Sequence, residues 1–234
     1  MNMIDTSKSS EFVIPAKAGI QFNQNAGFRV KPGMTALMFI LLFIALWLPS
    51  SAHAAKNILV FGDSLSAGYG IAVEESWPSL LQQELKRTRY KFGVVNASIS
   101  GETALGGRQR IAKALQQHRP AIVILELGVN DGLRGFSTAD IEANLNGIIE
   151  QAVRSSARVL LVGMKLPPNY GESYTIQFQN IFSRLSEKHG LRLLPFLLEN
   201  VAPEEFQADN LHPVAAAQPK IMRSVMRQLE PLLR

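Results

Sequence analysis

From residue 57 onward the chain alternates short, nearly continuous apolar runs with longer stretches in which apolar residues recur every three or four positions. The runs 58–61, 92–95, 121–127, 159–163 and 191–196 are nearly continuous rather than alternating, as strands are when helices cover both faces of their sheet. The stretches between them each gather apolar residues on one helical face. Trp77, Leu80, Leu81 and Leu85 form one such face, Ile111 and Leu115 another, and Ile141, Leu145, Ile148, Ile149 and Ala152 a third. Phe178, Ile181, Phe182 and Leu185, then Ile221, Val225 and Leu229, complete the series. Ser137-x-x-Asp140 opens the third helix in the manner of a capping box. Strand and helix alternate five times, which predicts a parallel sheet with right-handed crossovers in one three-layer α/β domain of about 180 residues. Sheets of this kind bind ligands beyond the carboxyl ends of their strands. The polar residues that follow the strands therefore carry the functional reading.

The front of the chain does not fit this pattern. Residues 36–48 are thirteen consecutive apolar residues, preceded by Arg29 and Lys31 and followed by Pro49 and a run of small residues. The run is shorter than the ~20 residues of a spanning helix, and Ala52-His53-Ala54 is a small-residue cleavage site, which predicts a signal peptide over 34–54 and a mature start at Ala55. An uncleaved N-terminal anchor is the alternative, and both readings export the body to the periplasm or beyond. Residues 1–33 form an unassigned N-terminal extension, with translation expected to begin at Met34.

Composition narrows the chemistry. The 234 residues are 47% apolar and 18% charged, enough for one domain with a substantial core. With no cysteine, thiol nucleophiles, Cys-ligated metals and disulfides are excluded. The formal charge of +5 falls to +3 once residues 1–54 are set aside. The basic cluster Lys86, Arg87, Arg89 and Lys91 ends an amphipathic stretch, where cations complement the helix dipole; no interleaved aromatics support a nucleic-acid partner.

At the strand ends stand Gly62-Asp63-Ser64-Leu65-Ser66, then Ser98, Ser100 and Gly101, then Gly128-Val129-Asn130-Asp131-Gly132, then 166–171, then Asp209-Asn210-Leu211-His212. Read singly, each has a bland explanation: Ser64 as a helix N-cap, Gly101 as a turn residue, 128–132 as a polar turn, His212 as a structural histidine. Read together, they supply a hydroxyl, a base three residues from a carboxylate, and loop donors, the parts that nucleophilic catalysis needs. His118 and His189 end helices and read as surface or C-capping residues. The G-x-S-x-G elbow of the ordinary α/β hydrolases is absent.

These blocks resemble the GDSL or SGNH hydrolases: Ser64 in Gly-Asp-Ser-Leu-Ser, Gly101, Asn130 in Gly-x-Asn-Asp, and Asp209 and His212 in Asp-x-x-His. The resemblance runs from residue 55 to the C-terminus. It is nearest to the bacterial periplasmic thioesterase I, lysophospholipase L1 and arylesterase group, through 96–101, 130–135 and 166–171. It implies a flavodoxin-like five-stranded sheet in an α/β/α sandwich, Ser64 as nucleophile, His212 as general base and acid, and Asp209 as its orienting carboxylate. It further implies an oxyanion hole of the Ser64 and Gly101 N–H groups and the Asn130 side chain. Substrate contacts are expected from Gly132, Leu133, Arg134, Pro167, Asn169 and Tyr170. Val129 departs from the family's usual second glycine, which bears on the mobility of 132–136. Glycine is expected at 101 because a side chain would crowd the backbone donor, and Asp63 is read as shaping the turn.

The expected activity is hydrolysis of acyl esters and thioesters, lysophospholipids and aryl esters included, by a monomer without metal or cofactor and with transient membrane-surface contact. Three rivals remain. A carbohydrate O-acetyl esterase would prefer acetyl esters. A non-catalytic acyl or lipid binder would not need the Ser, Asp and His together. A nucleotide or flavin protein lacks both G-x-x-x-x-G-K-[ST] and G-x-G-x-x-G.

Overall fold

The computed structural model describes residues 56–234; the expected extension, signal peptide and cleavage site lie outside the described residues. Five parallel strands, β1 (Lys56–Gly62), β2 (Phe92–Asn96), β3 (Ile122–Glu126), β4 (Arg158–Val162) and β5 (Arg192–Leu194), form one sheet in the order β2-β1-β3-β4-β5. Every residue of β3, at the centre, is buried, which accounts for its unbroken apolar sequence up to Glu126. Strand β5 is shorter than its apolar run suggests. It is an edge strand, and its pairing with β4 covers only Arg192 to Leu194.

The helices are α1 (Ser64–Ala67), α2 (Trp77–Arg87), α3 (Ala104–His118), α4 (Val129–Leu133), α5 (Thr138–Arg154), α6 (Glu172–His189) and α7 (Gln218–Leu229). The five long ones are those the periodicity predicts. Helices α2 and α7 pack together on one face of the sheet, and α3, α5 and α6 form a row on the other, giving the three layers. The capping box expected at α5 does not form, since Ser137 occupies the N-cap without a side-chain bond. The short helices α1 and α4 were not legible as periodicity; each is a single turn leaving the end of a central strand.

The chain order reverses between β1 and β3: β2 is laid down to one side of β1, and β3 to β5 to the other. The crevice of a doubly wound sheet opens at this switch point. The loops bearing Ser64 and Asn130 leave the two strands that flank it.

Candidate active site

Strand β1 delivers the serine. Asp63, not Ser64, is the N-cap of α1: its Oδ1 accepts the Leu65 N–H at 3.1 Å, leaving Ser64 at the first helical position with its hydroxyl free of capping duty. That hydroxyl lies 2.8 Å from His212 Nε2. His212 comes from the loop after β5, where Asn210 takes a left-handed conformation at φ 56° and the turn closes on Asp209. Asp209 Oδ1 accepts the backbone N–H groups of Leu211 and His212 at 2.9 and 3.0 Å. Its Oδ2 stands 2.7 Å from His212 Nδ1. The three-residue spacing thus builds an Asx-type turn that aims the carboxylate at its own histidine. These bonds, led by the His212 backbone N–H and then its ring, hold the Asp209 carboxyl down to about 2. An ionised Asp209 fixes the proton on Nδ1 and leaves the Nε2 lone pair to accept from Ser64.

Two residues outside the sequence blocks support this loop. The Tyr69 ring lies against His212, with centroids 4.5 Å apart and a 39° tilt. Gln207 donates to the carbonyls of Tyr69 at 2.9 Å and Pro213 at 3.2 Å, lashing the loop to the segment after α1. Neither has a motif offset that would mark it in a single sequence.

Gly101 stands in the loop after β2 with φ 76°, a conformation disfavoured for any residue with a Cβ. Among protein atoms, the nearest to an added Cβ is Arg134 Nη2, 4.0 Å away. Asn130 opens α4, and its amide Nδ2 donates to Asp63 Oδ2 at 3.1 Å and to the Glu102 carbonyl at 3.0 Å. Glu102 is itself held by Arg110, which also donates to the Ala97 carbonyl and lies over the Phe61 ring.

Beside Ser64 and His212 opens an apolar cavity of about 280 Å³. Leu133 and Pro167 line it as anticipated, together with Val129, Met164, Phe196 and Phe206. The other expected substrate contacts lie elsewhere. Gly132 is buried, and a Cβ on it would come within 2.8 Å of Leu166 and 2.9 Å of Phe178, so its smallness serves packing. Arg134 donates to the Gly101 carbonyl at 3.2 Å, Tyr170 donates to the Leu133 carbonyl at 3.0 Å, and Asn169 is exposed off the cavity wall. Met164 and Phe196 follow β4 and β5, and the strand-end rule marks their positions even though no motif does. His118 and His189 are remote from this cavity: the His118 carbonyl accepts from Asn57, and His189 Nε2 meets Asn146 Oδ1.

Two buried carboxyls lie beneath the site. Removal from water pushes Asp63 up to about 7 and Glu126 well above the usual carboxylate range; each is raised further by a neighbouring acid, Asp131 for Asp63 and Asp63 for Glu126. Between pH 4 and 7 the folded protein therefore binds more protons here than the unfolded chain, so their contribution to stability is full at low pH and is lost as pH rises through the folded values. Melting curves at pH 5 and pH 8 are expected to show a decline that is smaller in Glu126→Gln by a few degrees, on the scale of about 2–4 °C per kcal/mol for this size. Equal declines in both proteins would refute the assignment.

A hydroxyl, an imidazole and a carboxylate joined in line at the crevice of a doubly wound sheet define the class as a serine hydrolase. More narrowly, the chain belongs to the GDSL-like lipase/acylhydrolase family, whose model matches residues 60–218. It is 42% identical to Esterase TesA of Pseudomonas aeruginosa over 192 residues, covering 81% of this chain and 96% of that protein. It is also 42% identical to thioesterase 1/protease 1/lysophospholipase L1 of Escherichia coli K12 over 194 residues, covering 82% of this chain and 91% of that protein. The crystal structure of TesA matches with a TM-score of 0.74 at 42% identity, over 76% of this chain and 99% of that one.

Proposed function

We propose that this hydrolase is an exported esterase and thioesterase acting on acyl chains, lysophospholipids and aryl esters among its substrates, with Ser64 as nucleophile. The observation that carries the reading is the line Asp209 Oδ2, His212 Nδ1, His212 Nε2, Ser64 Oγ, at 2.7 and 2.8 Å, ending at the mouth of an apolar cavity. His212 takes the Ser64 proton as the oxygen attacks the acyl carbon, and the positive ring that results is balanced by ionised Asp209. The Ser64 and Gly101 N–H groups and the Asn130 amide receive the oxyanion, each such donor being worth roughly 3 kcal/mol in the transition state. His212 then protonates the leaving oxygen or sulfur, and water, deprotonated by the same ring, releases the acid. Acyl-CoA is scarce outside the cytoplasm, so a lipid or lysophospholipid is the favoured native substrate.

Export rests on the signal-peptide anatomy of 34–54. No helix among the described residues is long and apolar enough to cross a membrane. Exposed Tyr69 and Leu211 beside the site support transient contact with a lipid surface. One chain supplies every site residue, which suits a monomer.

An acyl cavity predicts a chain-length profile. Each methylene buried contributes about 0.8 kcal/mol, close to fourfold in kcat/KM until the cavity is full. Across p-nitrophenyl esters from acetyl to palmitoyl, octanoyl is expected to exceed acetyl by roughly 10²-fold or more. A maximum at acetyl would instead favour the carbohydrate O-acetyl esterase reading.

A further inference from the structure

Strand β3 ends in a carboxyl that no folding argument requires. Glu126 pairs with Gly62 in the parallel register, is fully buried, and accepts the Ser66 hydroxyl at 2.7 Å and the Asp63 backbone N–H at 3.2 Å through Oε2. Gly62 makes the approach feasible, since a Cβ there would come to 2.5 Å from Glu126 Oε2. An aliphatic residue would fill the same core without the desolvation cost of a carboxyl. Glu126 must therefore be explained by what it touches.

It touches the turn that carries the nucleophile and, one step on, the oxyanion donor. Glu126 Oε2 accepts the Asp63 backbone N–H, and Asp63, also fully buried, accepts from the Asn130 amide through Oδ2. We propose that Glu126 is a positioning residue for the oxyanion hole, acting through Asp63 to keep the Asn130 amide in its donating orientation. This rests on the reading of Asn130 as an oxyanion donor.

Glu126 Oε2 receives two donors, and its buried Oε1 has no hydrogen-bond partner. Above about pH 7 Asp63 is the anion and its bond to Asn130 is charge-assisted, whereas the Asn130 bond to the Glu102 carbonyl is neutral and weaker. When an oxyanion forms, the neutral bond is the one exchanged, and Asp63 retains the other N–H.

The test is a double-mutant cycle in kcat and KM for a p-nitrophenyl ester, with folding of each variant checked by circular dichroism. Asn130→Ala is expected to lower kcat about 10²-fold. Glu126→Ala is expected to lower kcat roughly tenfold with KM within about twofold, and to cost less than about twofold more in the Asn130→Ala background. Glu126→Gln, whose amide oxygen can still accept from the Asp63 N–H and from Ser66, is expected to recover most of the loss. Should Glu126→Ala not fold, Asp63→Asn reads the same relay: it keeps the N-cap oxygen but sets an amide against the Asn130 amide, and its kcat loss must likewise vanish in the Asn130→Ala background. The proposal is overturned if Glu126→Ala matches wild-type kcat, if its loss appears in KM, if the losses multiply in full, or if Glu126→Gln is as impaired as Glu126→Ala. A wild type that turns over no ester refutes the proposed function itself, whereas an active wild type with impaired Asn130→Ala and unimpaired Glu126→Ala refutes only the relay.

Discussion

Ser64→Ala is expected to lose about 10⁶-fold in kcat, the scale set by removing a serine nucleophile from a triad that acts as a unit. The protein survives the change intact, for reasons local to α1. The Ser64 hydroxyl bonds to His212, while the N-cap that starts the helix is Asp63 and remains. A melting temperature within about 2 °C of wild type is expected, because surface-accessible changes away from caps and cores move stability little. Comparing purified wild type and Ser64→Ala on one p-nitrophenyl ester, with melting curves alongside, decides the matter. Residual turnover near wild type would remove Ser64 from the mechanism, and no turnover in either would bring the non-catalytic acyl-binder reading forward.

Asp209→Asn gives the second-largest loss, and its route is a wrong tautomer rather than a missing base. The asparagine oxygen can still accept the Leu211 and His212 backbone N–H groups, so the turn persists. Its amide nitrogen then faces His212 Nδ1, where the carboxylate oxygen stood at 2.7 Å, and donates to it. The ring proton moves to Nε2, which can no longer accept from Ser64. In a triad with a buried aspartate this exchange costs about 10⁴ in kcat. The Asp209 side chain is 36% exposed, so water can reach the ring and a loss of roughly 10³-fold is expected with KM little changed. Asp209 remains ionised down to about pH 2. An acid limb of the rate profile at higher pH must arise from another group, and a kcat loss below about tenfold in Asp209→Asn would contradict this account.

Much of the architecture was legible because its cause is periodic. Continuous apolar runs such as 121–127 mark strands hidden on both faces, and the seams of α5 and α7 mark helices with one wet side. The line of Asp209, His212 and Ser64 was legible because strand-end polar residues in a parallel sheet converge, and because Asp209 and His212 share one turn. What sequence did not reveal depends on distances between segments far apart in the chain. Gly132 looks like a substrate contact and is a packing glycine because Leu166 and Phe178 arrive from two other elements. Gly101 takes a left-handed dihedral that only the folded backbone shows. Glu126 looks like the polar end of a strand, and only the β1–β3 register shows what lies beside it.

The turn that joins Asp209 to His212 has a kinetic consequence. The acid and base meet through contacts three residues apart, so the pair can form early and locally, before the sheet closes. Its attachment to Ser64, by contrast, spans 148 positions and runs through a single hydrogen bond, aided by the Tyr69 ring and the Gln207 bridge. On heating, an exposed loop so tethered detaches at a lower free energy than the buried sheet. Catalysis should fade several degrees before the secondary structure melts and return on cooling, with the enzyme reporting its own subglobal opening.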